Sequence, residues 1–503
     1  MAAQEGKLTA VIRFPGADYT QRAVLAAAQR VLPLDSTAFV TDVDDGEAAE
    51  KLCAERSKTR ERMLFFSDYD LLPFEALLRH SDHFLSSSYI IRKALIRKHY
   101  LAHALHTYQL KHGESATQSK AVTPTTWHVE INFADELDEL LMDDLYDLND
   151  QLEANESREE DQQKWFILKP AMADRGNGIR LFASLDRLRD IFEEFEDSDS
   201  DEEEDDDEGA EDAEDASAKG GKDTAVMTSQ LRHFVIQEYV SSPLLLQAPS
   251  PSQPPSPRKF HLRAYVLCVG ALKVYLADEM LALFAPLPYV APGTTAADDA
   301  ANDFTSDDLR RHLTNTCLQA KDQPVGATKV SEENVFLFSE LEGMQRSSSN
   351  SAGEGPQAPQ HLTKADLSQI KQGVVDVLAT TFTACATAGS IHWQMWPNAF
   401  EVFGIDLLVE STIPGVSTQT ESDEASPPFR VWLLEINAQP DFAQTGSRLE
   451  PTIEHLFTRV FDLAVTPFFA GEQHAERPAP AVPGESVNGM TLCLDLELSK
   501  AWK

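Results

Sequence analysis

Cysteine is scarce in this 503-residue chain and has no pairing pattern. The five residues (Cys53, Cys268, Cys317, Cys385 and Cys493) are odd in number and never spaced C-x-x-C. That argues against a disulfide framework or a cysteine zinc site, and for a reduced, cytoplasmic setting. No apolar run approaches the roughly 20 residues of a membrane-spanning helix. The opening MAAQEGKLTAV has no basic start followed by an apolar core, so no secretory signal is expected. Basic charge is short as well: 43 Lys and Arg face 82 Asp and Glu, a net charge of −39. Seventeen of those carboxylates lie in Glu193–Asp215, which has no base, and without them the balance is still about −22. A surface of this sign repels nucleic-acid backbones and anionic lipid alike.

Hydrophobic residues make up 42% of the chain, with 26 Phe and 6 Trp, enough for a globular protein of two or three domains. An opening strand (residues 8–14), a helix over Gln21–Val31 and a strand at Met63–Phe66 predict a small α/β domain over 1–88. Tyr89–Leu110 has apolar residues at helical spacing with basic ones between them, the most basic stretch of an acidic protein. It opens a central domain over 89–237, with an acidic helical stretch at Phe133–Leu152 and a strand at Trp165–Leu168. The loop KPAMADRGNGI follows at 169–179, then a helix from Leu185 with Ser184 as its N-cap. Residues 197–228 are low-complexity and acidic and read as a disordered insertion that could mimic an acidic peptide tail.

A third domain is expected over 238–470, with loops at 247–258, 341–360 and 411–428. Within it, Lys259–Val269 and Ala271–Leu276 read as an antiparallel pair turning at Gly270, and Leu367–Ala388 as a helix. A tail over 471–503 ends in MTLCLDLELSKAWK, where alternating apolar residues predict an edge strand or a docking segment for a partner.

The stretch VWLLEINAQP at 431–440 carries the sharpest chemistry. An apolar strand ends in Glu435 and Asn437, which alternation puts on one face with Ile436 opposite. Paired oxygen donors suit a hard cation such as Mg²⁺, although alone the pair reads more readily as a polar strand end. In the Gly176–Gly178 loop, backbone amides can approach phosphate oxygens closely and Lys169 adds a point charge.

Taken in order, RKALIRK (92–98), KPAMADRGNGI (169–179), VIQEYVSSPLLL (235–246), KFHLRAYVL (259–267), RHLTNTCLQ (311–319), FEVFGIDLLV (400–409) and VWLLEINAQP (431–440) resemble the tubulin–tyrosine ligase family over roughly residues 8–470. The chain is similar to a divergent member of fungal or protist type, closer to the ligase proper than to the polyglutamylases. The resemblance implies an α/β ATP-grasp fold, with a small N-terminal domain and two sheet lobes clamping ATP. It implies Lys93, Lys169 and Lys259 as phosphate lysines and a covering loop at Gly176 and Gly178. It further implies an adenine-reading hinge at Gln237, Glu238, Tyr239 and Val240, nucleotide contacts from Thr314 and Asn315, and Arg263 beside the substrate carboxylate. Asp406, Glu435 and Asn437 would bind Mg²⁺, with Lys93, Lys259 and Arg263 the catalytic cations. The implied reaction activates a protein carboxylate with ATP as an acyl-phosphate and joins a free amino acid to it, typically tyrosine to the tubulin tail. Microtubules or cytoplasmic granules are the implied location.

Three departures stand against full activity: His261 where the family has an aspartate, Leu283 where it has an arginine near the phosphates, and Glu238 where it has a lysine. A catalytically weak ATP-binding scaffold and a polyglutamylase are the alternative readings.

Overall fold

The computed structural model describes residues 7–112, 121–159, 162–172, 176–200, 233–249, 254–293, 306–314, 334–347, 360–411, 428–470, 479 and 482–496. The acidic insertion from 201 onward, Asn315, Cys317, the remainder of the 341–360 and 411–428 loops and residues 497–503 lie outside them.

β1 (Leu8–Arg13), β2 (Thr37–Val40), β3 (Arg62–Ser67) and β4 (Phe84–Ser86) form a parallel sheet in the order β2-β1-β3-β4. Its inner strands are buried on both faces, hence the near-continuous apolar runs LTAVI and MLFF. A second, antiparallel sheet follows in the order β5-β8-β6-β7, from β5 (Thr126–Glu130), β6 (Phe166–Pro170), β7 (Arg180–Phe182) and β8 (His233–Glu238). The helix Leu185–Ser200 covers it, its first turn capped by Ser184 Oγ, which accepts from the Arg187 amide.

Of the expected 247–258 loop, residues 250–253 lie outside the described residues, and its two ends are strands. β9 (Leu245–Ala248) and β10 (Ser256–Arg258) pair antiparallel at its two ends. The largest sheet is organised on β11 (Phe260–Val269). One edge of β11 takes β13 (Leu281–Phe284) and β12 (Lys273–Ala277), entered through a turn at Gly270. β14 (Val335–Leu337) flanks β13, and the short β15 (Arg346–Ser347) joins β9. The other edge of β11 takes β16 (Phe400–Ser411), which pairs with β17 (Phe429–Ala438). The helix Lys364–Thr387, closed by a capping box between Thr363 and Asp366, buries eleven residues beneath this sheet.

The terminal alternation resolves as an internal pairing. β19 (Met490–Asp495) runs antiparallel to β12, with β18 (Ser486–Val487) folding back on it. Thr491 Oγ1 and Ser486 Oγ donate to the Asp278 carboxylate, and Lys371 Nζ stands 3.0 Å from it. Residues 490–495 thus pair along one edge with β12.

The basic stretch also departs from a single helix. It forms Lys93–Ile96 and then Lys98–His112, separated by Arg97 in extended conformation (φ −108°, ψ 117°). Arg92 is buried, with Nε 3.0 Å from Glu401 Oε1 and its guanidinium 3.8 Å from the Tyr69 ring centroid. It is spent on structure and unavailable to a cleft. Gly389 packs this break against the long helix. A Cβ there would lie 2.8 Å from Cys385 O, 3.0 Å from Ala94 Cβ and 3.1 Å from Ala104 Cβ. Because one of these neighbours is backbone, Gly389→Ala is expected to cost about 2 kcal/mol, read as a lower urea midpoint.

Candidate functional site

The β5–β8 sheet and the β11/β16/β17 sheet face each other across a cleft. Lys169 reaches it from β6, Gln237 from the end of β8, Lys259 and His261 from the start of β11, Asp406 from β16 and Glu435 from β17. Gly176, with φ +81°, also lines it, and Gly178 follows with φ +69°. Left-handed backbone of this kind is open to glycine at little cost, which is why the loop has two.

Three lysines reach the cleft, Lys169 from the β5–β8 sheet and Lys259 from the facing one. Lys169 Nζ donates to Gln237 Oε1 at 2.6 Å, and Gln237 Nε2 donates to Thr126 Oγ1 at 3.0 Å, so the glutamine is held from both ends. Crowding around the Lys169 ammonium strips its solvent and lowers its pKa to about 8, against the pull of Glu435. Lys259 is more deeply buried; desolvation first, then Lys169 nearby, lowers its pKa to about 7. The third is Lys98, whose Nζ lies 3.5 Å from Glu435 Oε2. Lys93, by contrast, is exposed and does not line the cleft. Both lysines belong to RKALIRK. Choosing between them requires the break at Arg97, which a continuous helical reading hides.

In the hinge, the Glu238 and Tyr239 amides already donate to Thr125 O and Trp165 O, at 2.9 and 2.8 Å. These two amides are therefore already engaged within the protein. The Glu238 carboxylate accepts from Thr125 Oγ1 at 3.2 Å and lies 3.7 Å from Lys164 Nζ.

Within the β11/β16/β17 sheet, cross-strand register puts Asp406 between Arg263 and Glu435. A bulge after Asp406 places Leu434 and Glu435 both on the cleft side, while Leu433 and Ile436 enter the core. Arg263 grips Asp406 with two nitrogens, Nε on Oδ1 and Nη2 on Oδ2, the latter at 3.0 Å. Burial alone would raise the Asp406 pKa, but Arg263 and then His261 hold it well below the usual carboxylate range. His261 Nε2 is 3.5 Å from Asp406 Oδ1, and its Nδ1 meets Thr314 Oγ1 at 2.5 Å. Asn437 Nδ2 donates to Glu435 Oε1 at 3.4 Å. Leu283 sits across from His261 and is buried with Leu281 and Val335.

Among the described residues, no three His, Cys, Asp or Glu side chains form a metal-holding group. Asp406, Glu435 and Asn437 nevertheless offer two carboxylates and a carboxamide, the donor chemistry a hard divalent cation takes. In this structure Arg263 and Lys98 neutralise those carboxylates. Neutral lysine has a consequence at this site: an anionic polyphosphate favours the charged form, so ADP binding at pH 8 is expected to take up about one proton. The dependence of binding heat on buffer ionisation enthalpy measures this.

Comparison with known proteins agrees with the geometry. A model of the "Tubulin-tyrosine ligase family" matches residues 78–473. A probable tubulin–tyrosine ligase of Schizosaccharomyces pombe is 35% identical over 82% of this chain and 85% of its own length. The probable tubulin–tyrosine ligase PBY1 of Saccharomyces cerevisiae is 33% identical over 91% of the chain, which spans about half (52%) of that relative's length. The tubulin polyglutamylase TTLL13 of Mus musculus is 24% identical over 44% of the chain. Among solved structures, the C-terminal domain of K. lactis Pby1, described as an ATP-grasp enzyme interacting with the mRNA decapping enzyme Dcp2, superposes with a TM-score of 0.57 and 26% identity, covering 97% of this chain and 99% of that one.

Proposed function

Since the chain belongs to the tubulin–tyrosine ligase family and has the ATP-grasp fold, we propose that it uses ATP and Mg²⁺ to join an amino acid, tyrosine first, to a protein carboxylate such as a tubulin tail. The observation that carries this reading is the meeting of Lys98, Lys169 and Lys259 with Asp406 and Glu435 across one cleft. Such an inventory suits a reaction whose burden is positioning and charge neutralisation.

In the proposed reaction the substrate carboxylate takes the terminal phosphoryl group of ATP and ADP leaves; the amino acid's amine then attacks the acyl-phosphate, giving up a proton as the amide bond forms and phosphate leaves. A divalent cation at Asp406, Glu435 and Asn437 would neutralise charge on the phosphate oxygens. Lys169 and Lys259 bind phosphate in this scheme, and Gln237, fixed by Lys169 and Thr126, orients the base. Arg263 receives the substrate carboxylate when it exchanges partners with Asp406.

Incubation with ATP, Mg²⁺, labelled tyrosine or glutamate and tubulin tests the reading. Tyrosine incorporation supports it, glutamate incorporation favours a polyglutamylase, and no incorporation beside a working ligase control removes it.

One observation favours a second reading, an ATP-binding scaffold with weak turnover. Asp406 is held by Arg263 and His261, and buried Leu283 supplies no charge. The K. lactis neighbour's interaction with a decapping enzyme supports a protein partner of that kind in cytoplasmic granules. Under this reading partner binding survives Glu435→Gln.

A further inference from the structure

A buried polar chain runs behind the hinge, and of its members only Lys259 enters the scheme above. Lys259 Nζ donates to Tyr239 Oη at 3.1 Å and lies 4.4 Å from that ring's centroid. Tyr239 Oη and His312 Nδ1 are 3.0 Å apart. All three residues are under 9% exposed, and Tyr239 packs in an apolar cluster with Trp165, Leu245 and Tyr289.

Burial and then Lys259 lower the His312 pKa to about 3, which keeps the imidazole neutral. The Tyr239 hydroxyl joins the two ends: its oxygen accepts from Lys259, and it shares with His312 Nδ1 a hydrogen bond whose direction follows the imidazole tautomer. Among the described residues no carboxylate lies within ion-pair distance of Lys259, and Tyr239 is its one side-chain hydrogen-bond partner. The charges that bear on the group are cationic: Lys169 on Lys259, and Lys259 and Arg311 on His312. Tyr289 faces Tyr239. Burying an ammonium without a counter-charge is costly, and it becomes favourable once an anion enters the cleft. A purely structural trio would be cheaper as apolar residues of similar volume.

We propose that His312 is a positioning residue that, through the Tyr239 hydroxyl, holds Lys259 for the phosphates of a bound nucleotide and so ties phosphate binding to the hinge. This rests on reading the cleft as a nucleotide site. In the full chain, ADP and adenosine affinities are compared by calorimetry for wild type, His312→Leu, His312→Asn and Tyr239→Phe.

His312→Leu is expected to lose about tenfold in ADP affinity, the size of one charge-assisted contact, with adenosine affinity unchanged and proton uptake on ADP binding altered. His312→Asn, which restores a hydrogen-bonding group near Nδ1, should recover most of the loss. Tyr239→Phe should reproduce it, and this variant answers the question if His312→Leu does not fold. An equal loss for adenosine and ADP, or no loss in either Leu or Phe variant, overturns the proposal while leaving the nucleotide site standing. Failure of the wild type to bind ADP overturns the reading of the cleft itself.

Discussion

Lys169→Met is expected to weaken ADP binding by about a hundredfold without lowering the melting temperature. A charge-assisted hydrogen bond contributes about 1.5–3 kcal/mol, and phosphate offers Lys169 more than one acceptor. In the free protein the same ammonium is desolvated and, among the described residues, has one side-chain hydrogen bond, to Gln237. An unbranched apolar side chain relieves that desolvation, so stability should hold or rise. Lys98→Met should also weaken ADP, whereas Lys93→Met, on an exposed site away from the cleft, should leave it unchanged. If Lys93→Met proved as damaging as Lys98→Met, the cleft would have been assigned the wrong lysine.

The largest loss of stability is expected from Asp406→Asn. The Arg263 guanidinium, 17% exposed, would be left without the charge that holds it, and removing one partner of a buried pair costs about 3–5 kcal/mol. The sign of the pH dependence follows from the depressed Asp406 pKa. Its contribution is complete above the ordinary carboxylate value near 3.8 and fades as pH falls below it toward the lower folded value. Wild type should therefore lose stability on acidification, and Asp406→Asn should show a weaker acid limb from an already lowered midpoint. Urea midpoints at pH 7 and pH 3 for both proteins separate the effects. An unchanged midpoint at pH 7 would mean that Arg263 is satisfied from elsewhere.

What the chain announced about itself follows the range of the forces involved. Strand runs such as FVIQEYV and VWLLEIN and the turn at Gly270 are local, and the structure has them where the residues place them. Alternation also put Glu435 and Asn437 opposite Ile436, as observed. Pairing across distance was not legible. Arg263 and Asp406 are 143 residues apart, and their contact depends on the register of β11 against β16. The bulge that turns Leu434 beside Glu435 leaves no mark in an apolar run. Lys98 was missed because an extended Arg97 interrupts a stretch of helical periodicity. His312 was missed because a lone histidine before LTN says nothing of Tyr239, 73 positions earlier.

The closure of the large sheet by β19 also bears on how the chain is made. A ribosome has completed every described cleft residue, Lys98 to Glu435, before residues 490–495 exist. Until then the outer edge of β12 offers unpaired amides and carbonyls to any passing strand. A nascent chain halted in that interval would have its whole ligand cleft and a bare sheet edge. Aggregation, more than loss of ligand binding, is then the hazard of late truncation.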